Sequence, residues 1–376
     1  MDIKGIKYIS PIFDGSGYSQ AGRQYVLTLH RLGIPITLSP ISFEAARPNL
    51  GEDEKILRSL VNKDIDYNVI ICHTTPEFWE KFKESGKIFV GYSIWETSKL
   101  HFSWPDYIND TADLCMVGCD WNVEVFKNSG VEVPVISIPH VMDVDEFKNI
   151  QPYDISGING DSYVFYFIGQ WTERKNVLST VKTYWRTFRE KENVSLIMKV
   201  YRNDYSESER DAIRTTMRRL KTVCTMEGYT YPPVYLVLDM LSDDEIKGLH
   251  ARGDCYVSLD RGEGFGLSTA TAGAAGNPVI ATGFGGATEY LKQDNSYLVD
   301  YIETCCHGMP WSRWYSLDQY WASPDEKHAS QLMKHVYENR DEAKERGKKL
   351  QNYIDENLNW KVIGQKIIDS VRRIND

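Results

Sequence analysis

The stretch with the densest chemical content runs Gly262-Glu263-Gly264-Phe265-Gly266-Leu267-Ser268-Thr269-Ala270-Thr271-Ala272-Gly273-Ala274-Ala275-Gly276-Asn277-Pro278-Val279-Ile280. It follows a predicted strand, passes through a glycine-rich turn and opens a helix of small residues. The first turn of a helix carries unpaired N–H groups and the positive end of the helix dipole, which suits a phosphate or diphosphate. Gly264 and Gly266 let such a ligand approach the backbone with no Cβ in the way. A second group, Phe167-Ile168-Gly169-Gln170-Trp171-Thr172-Glu173-Arg174-Lys175-Asn176, is a strand, a Gly turn and a basic pair at a helix start. Two cations placed there oppose the dipole, which makes a merely solvated pair the weaker reading. A third is the turn Asp14-Gly15-Ser16-Gly17-Tyr18.

Groups so far apart in sequence need a scaffold that brings strand ends together. The first half alternates predicted strands (Ile6–Ile9, Pro35–Leu38, Val69–Cys72, Ile88–Tyr92, Leu114–Gly118, Val135–Ile138) with helices (Gln20–Leu32, Glu52–Val61, Pro76–Glu84, Trp121–Ser129). The pattern breaks into turn-rich, polar chain over 150–162 and then restarts. Strands follow at Tyr163–Ile168, Ser195–Val200, Val234–Leu238 and Asp254–Leu259, with helices at Asn176–Lys191, Ser206–Lys221 and Asp243–Arg252. Ser242 and Glu245 form a capping-box signature for the last of these. Amphipathic helices Asp325–Arg340, Glu342–Glu356 and Trp360–Ile374 close the chain. Such alternation predicts an α/β protein with two Rossmann-like, doubly wound parallel sheets. The expected division is 1–155, 156–355 and a terminal helix over 356–376.

The first two groups resemble motifs of the family 4 glycosyltransferases, retaining enzymes of the GT-B fold. There, Glu-Gly-Phe-Gly precedes a small-residue helix, a Gly-x-Pro-Val strand start and a Gly-Gly turn, here Gly285-Gly286-Ala287-Thr288-Glu289-Tyr290. Ile138-Pro139-His140-Val141-Met142-Asp143 resembles the family's entry into the interdomain linker, and Gly15–Gly17 its N-terminal glycine loop. The matches keep their order across roughly residues 11–290, and the tail fits the family's helix crossing back to the first domain. The resemblance implies a cleft between two domains, a nucleotide-diphosphate sugar held mainly by the second, and an acceptor on the side of the first. It implies that Arg174 and Lys175 neutralise the diphosphate, that Glu263 contacts the transferred hexose or pentose, and that Gly17 and the Gly264–Ser268 turn complete the anion cradle. It also implies retention without a bound metal or other cofactor, and no Asp-x-Asp is tied to a strand end.

The pattern departs in two places. Family members carry a second Glu on the small-residue helix that holds the ribose; its position here is Thr271, and Glu289 is the nearest other acid. Where relatives place a His near the reacting sugar, Gly91-Tyr92-Ser93-Ile94-Trp95-Glu96 offers Glu96 flanked by Trp95. Glu96 can bind a sugar hydroxyl, assist acceptor deprotonation or pair with Lys99. Tyr18 in the glycine loop, His73 at a strand end and Trp95 beside Glu96 are further candidates for acceptor or sugar contact, because ligands of open α/β sheets lie beyond the carboxyl ends of strands. His140 reads as structural. The aromatic insert Pro310–Pro324 either covers a ligand or plugs the tail helices.

Composition sets outer limits. The net charge is −10, and residues 1–150 hold 14 Lys and Arg against 21 Asp and Glu, so clustered basic surface for nucleic acid or anionic lipid is disfavoured. Seven cysteines (72, 115, 119, 224, 255, 305, 306) show neither a pairing framework nor zinc spacing. With no export-type N-terminus and no apolar run near ~20 residues, a cytoplasmic protein with no transmembrane segment is expected. A NAD-dependent oxidoreductase is excluded by the short glycine turn and by Pro35–Pro40, which ends in no acid. A GT-B sugar-nucleotide epimerase and a non-catalytic sugar-nucleotide-binding protein stay open as alternatives. The acceptor expected is a soluble glycan or small molecule, with a modified DNA base as the alternative.

Overall fold

The computed structural model describes residues 2–44, 47–224 and 229–375. In the first half, β1 (Ile6–Pro11), α1 (Gly17–Arg31), β2 (Ile36–Ile41), α2 (Asp53–Leu60), β3 (Val69–His73), β4 (Ile88–Tyr92), α3 (Trp104–Thr111), β5 (Leu114–Val117), α4 (Asp120–Asn128) and β6 (Val135–Ser137) build one sheet in the order β2-β1-β3-β4-β5-β6. The second half begins with β7 (Tyr163–Gln170), α5 (Val177–Thr187), β8 (Val194–Tyr201), α6 (Glu207–Val223), β9 (Val234–Val237) and α7 (Asp243–Arg252). It continues with β10 (Cys255–Ser258), α8 (Leu267–Ala274), β11 (Val279–Thr282) and β12 (Tyr297–Val299), giving the order β12-β11-β10-β7-β8-β9. Strand pairing within both six-stranded sheets is parallel.

Strands buried on both faces of a parallel sheet must be apolar along their whole length. The runs VIIC (Val69–Cys72) of β3 and YVFYFI (Tyr163–Ile168) of β7 meet that demand, and every residue in them is buried. Helix starts are fixed by side chains: Ser16 accepts from Ser19 N at α1, and Ser242 and Glu245 make the predicted capping box at α7. Ser242→Ala should lower stability by about 1 kcal/mol, read from denaturant unfolding; an unchanged midpoint would show the box to be idle.

The chain crosses between halves over 138–162 and returns through the tail. After β13 (Tyr301–Cys305), β14 (Tyr320–Pro324), α9 (Glu326–Glu338) and α10 (Arg340–Asn357), α11 (Trp360–Arg372) lies on α1. Gly364 allows this contact, since a Cβ there would meet Leu32 Cδ1 at 2.4 Å. Met142 N donates to Leu358 O at 2.8 Å where the two crossings meet.

Several elements differ from expectation. Pro76–Phe82 forms 3-10 turns rather than an α-helix, α5 stops at Thr187, and α3 carries no predicted counterpart. The largest difference is the aromatic insert. It is an antiparallel hairpin, β13–β14, that straps the second half to the first: Ser98 N donates to Tyr320 O and Tyr320 N to Ser98 Oγ, both at 2.9 Å, and Lys99 pairs with Asp318 at 2.5 Å. Trp314 packs on Trp104 and His101 of the first half, so the insert does not plug the tail helices.

Candidate functional site

The carboxyl ends of both sheets face one cleft of about 750 Å3, and His73, Gln170 and Tyr201, the last residues of β3, β7 and β8, line it. On the second half's side, Gly266 caps α8 in the left-handed region at φ +81°, which a glycine permits. The Tyr290 hydroxyl sits 2.8 Å from Gly266 O and 3.0 Å from Phe265 O, and Gly286 N donates to Glu263 O at 2.7 Å. The turn is therefore held from behind, leaving its N–H groups to the cleft. The basic loop is sewn to the same segment: Arg174 Nη1 donates to Gly262 O at 2.7 Å, Asn176 Nδ2 to Leu259 O at 2.8 Å and Arg261 N to Arg174 O at 2.7 Å. Arg174 lies 3.1 Å from Glu263 Oε1, and Lys175 Nζ bonds to the same oxygen.

From the first half, Gly17 opens α1 directly opposite α8; a Cβ on it would stand 3.5 Å from Leu267 Cδ1. Buried Asp14 shapes the loop before it by accepting from Ser16 Oγ (2.6 Å), Phe43 N (2.7 Å) and Ser16 N (3.0 Å). Tyr18 joins its hydroxyl to Ser93 Oγ at 3.1 Å. Glu96 faces the second half, 3.6 Å from Arg174 through one oxygen and accepting from Tyr315 of the hairpin at 3.3 Å through the other. Two apposed Rossmann-like halves thus pool one basic loop, one helix N-terminus and two carboxylates.

The same architecture recurs in solved structures. Anabaena Alr3699/HepE, solved in complex with UDP and glucose, superposes with a TM-score of 0.66 over 98% of this chain and 99% of its own, at 15% identity. Sucrose-phosphate synthase from Thermosynechococcus elongatus reaches 0.69 over 99% of each chain at 13% identity. This chain has the GT-B glycosyltransferase fold. In sequence, it is 22% identical over 233 residues, 61% of its length, to uncharacterized protein 356 of Sulfolobus islandicus rod-shaped virus 1, and the match spans 60% of that relative. No protein-family model matches it.

The charges of this GT-B cleft are balanced against burial. Burial resists ionisation of Glu263, but Lys175 and Arg174 together hold its carboxyl below the usual value. Glu96 is raised by burial, with Glu263 adding repulsion and Arg174 offsetting only part of it. Asp260, bonded to Ser258 Oγ at 2.8 Å, is pushed up to about 7 by burial and by the Glu263 charge. A carboxyl so poised is ionised above pH 7 and repels an anionic ligand. Affinity for a diphosphate sugar, whose own charge is constant there, should fall as pH rises through 7, by roughly three- to tenfold, the scale of a one-unit coupling. Asp260→Asn should flatten the profile in calorimetric titrations between pH 6 and 8.5; an unaltered slope would remove Asp260 from the account.

Among the sequence candidates, Glu263, Arg174, Lys175 and Glu96 converge, and Gly17, Tyr18, His73, Gly264, Phe265, Gly266, Leu267, Ser268 and Thr271 all line the cleft. Thr271 donates its hydroxyl to Leu267 O at 2.8 Å, leaving its oxygen as an acceptor. Trp95 is a correction. Its ring is buried against Trp104 (4.7 Å) and Tyr315 (5.1 Å), and its Nε1 donates to Thr97 Oγ1 and Lys99 O, away from the cleft. The alternative pairing of Glu96 with Lys99 is replaced by Arg174, since Lys99 is taken by Asp318. Glu289 accepts from Asp120 N at 3.0 Å, bridging the halves outside the cleft. His140 is buried, driven to about 3 by that burial, and sets its ring on Phe265 at 4.6 Å. Sequence reasoning missed Asp260 and a group at the end of β8: Tyr201 and Tyr205 stack at 5.0 Å, and buried Lys199, lowered to about 8 by desolvation, stands 4.9 Å from the Tyr205 ring. Strand-end position was the available signal for the latter. No helix among the described residues is long and apolar enough to cross a membrane.

Proposed function

We propose that this chain is a glycosyltransferase that moves a hexose or pentose from a nucleotide-diphosphate sugar to an acceptor hydroxyl. The observation that carries the reading is the convergence of Arg174, Lys175 and Glu263 with the Gly266-capped start of α8, opposite Gly17, in one interdomain cleft. A diphosphate placed there draws Lys175 and Arg174 from Glu263, and the freed carboxylate accepts from sugar hydroxyls. Fixed cations and helix N–H groups then stabilise the charge that builds on the leaving phosphate. In the transfer, the bond from the anomeric carbon to the phosphate oxygen breaks, and the acceptor oxygen bonds to the same carbon. The acceptor proton passes to the departing diphosphate, so no external base or oxidant is needed. Front-side displacement of this kind retains anomeric configuration and, with Arg174 and Lys175 as counterions, runs without a metal or other cofactor, as in family 4. Thr271 accepts from one ribose hydroxyl in place of a carboxylate.

A soluble glycan or small molecule in a cytoplasmic setting fits the acidic first half better than DNA does. A thermal-shift panel of UDP-, GDP-, ADP- and dTDP-sugars identifies the base by ligand linkage. Product analysis with the stabilising donor then decides the reaction: transfer or slow hydrolysis with retained anomeric configuration, undiminished by EDTA, is the expected result. Epimerised donor would make the chain an epimerase, and binding without turnover, whatever acceptor class is supplied, a binding protein.

A further inference from the structure

His73 lines the cleft with a hydrogen-bond partner on one ring nitrogen and, among the described residues, none on the other. Its Nδ1 lies 2.9 Å from the hydroxyl of Tyr8 on β1, two strands locked in register by Ile9 opposite Cys72. Tyr8 is buried, and His73 Nδ1 is the sole hydrogen-bond partner of its hydroxyl among the described residues. A hydroxyl sealed from water must place its proton on an acceptor, and Nδ1 is the acceptor at hand. If the imidazole instead carried its proton on Nδ1, the Tyr8 proton would be left with nowhere to go. The surroundings disfavour the doubly protonated ring: Tyr92 (4.2 Å), Tyr18 (5.4 Å), Tyr25 (5.6 Å) and His140 (6.4 Å) enclose it, and no carboxylate among the described residues pairs with it. Burial, with His140 adding to it, holds the ring well below the ordinary histidine value.

We propose that Tyr8 is a positioning residue that fixes His73 as the Nε2–H tautomer, so that the cleft presents a neutral hydrogen-bond donor to an uncharged oxygen of the bound sugar rather than a proton-accepting base. Nε2 meets no hydrogen-bonding protein group among the described residues, which leaves it to the ligand. The ligand part rests on the transferase reading; the tautomer does not. A Tyr8 hydroxyl that donates to one nitrogen also strengthens the dipole of the other N–H.

Long-range 1H–15N correlation spectra of the whole, ligand-free chain test the tautomer directly, with the His73 signals assigned by their loss in His73→Gln. The expected pattern is an unprotonated Nδ1 and a protonated Nε2, unchanged from pH 6 to 8. A protonated Nδ1, or titration in that range, would overturn the proposal. Tyr8→Phe should release the ring to a tautomer mixture; should that variant not fold, the wild-type spectrum alone decides. Adding the nucleotide sugar that stabilises the chain should move the Nε2–H signal, and its parent nucleoside diphosphate should not. No movement with a bound sugar would refute the ligand contact. The absence of any stabilising sugar would instead count against the transferase reading and leave the tautomer standing.

Discussion

Lys175→Ala is expected to leave the fold intact and to cut turnover of the nucleotide sugar by 10²- to 10³-fold, about 3–4 kcal/mol of transition-state stabilisation. The amine contributes to the site almost entirely through charge, since Glu263 is its one side-chain partner among the described residues. Removing it leaves Glu263 still paired with Arg174 at 3.1 Å, so no buried carboxylate is orphaned. Arg174→Ala should behave differently. That guanidinium reaches Glu263, Glu96 and Gly262 O together, and its loss leaves the part-buried Glu96 without a cationic partner while Glu263 keeps only Lys175. Breaking a buried pair by deleting one partner costs roughly 3–5 kcal/mol. The variant should therefore lose thermal stability as well as activity, and Arg174→Lys should not rescue it, because a single ammonium cannot span the fork. Kinetics and calorimetry on the two variants separate the roles. Equal melting points for both would contradict this division, and full turnover in Lys175→Ala would end the diphosphate assignment.

Gly262→Ala should be nearly as damaging without touching any charge. A Cβ at 262 would stand 2.0 Å from Glu96 O, a backbone atom of the opposite half that has no rotamer to escape through. The halves must separate locally, which costs about 1–3 kcal/mol of overpacking. The same displacement pulls Glu96 from Arg174 and Tyr315. A shift near 1 Å at reacting groups lowers rate by about 100-fold. Gly160→Ala supplies the control, since nothing lies within 4 Å of its added methyl. Differential scanning calorimetry should show the first variant melting early and the second within error of wild type; coincident curves would mean the interface yields without cost.

What was legible in the sequence was chemistry written contiguously. The Gly262–Leu267 turn, the Arg174-Lys175 pair and the Gly17 loop each set local backbone geometry, so their types and spacing carried over intact to the cleft. The alternation of apolar runs likewise predicted two parallel sheets. Trp95 was misplaced for a simple reason: in extended chain, neighbouring side chains point to opposite sides, so a ring next to Glu96 turns into the core when Glu96 faces the ligand. Asp260 was visible as a residue but not as an ionisable site, because its poise comes from burial beside Glu263 rather than from any motif. The hairpin could not be read because Ser98–Tyr320 and Lys99–Asp318 join residues more than 200 positions apart.

That hairpin bears on motion. The chain itself passes between the halves at two places, around 138–162 and near Leu358. A body tethered at two points can swing about the line through them, but a third tether off that line stops the swing. With β13–β14 engaged, the cleft is propped at a set width; on the transferase reading, a nucleotide held in it is freed when the hairpin lets go. The exposed Lys99–Asp318 contact is the part of that tether which dissolved ions screen. On that reading, product escape is a question of ionic strength as well as of affinity.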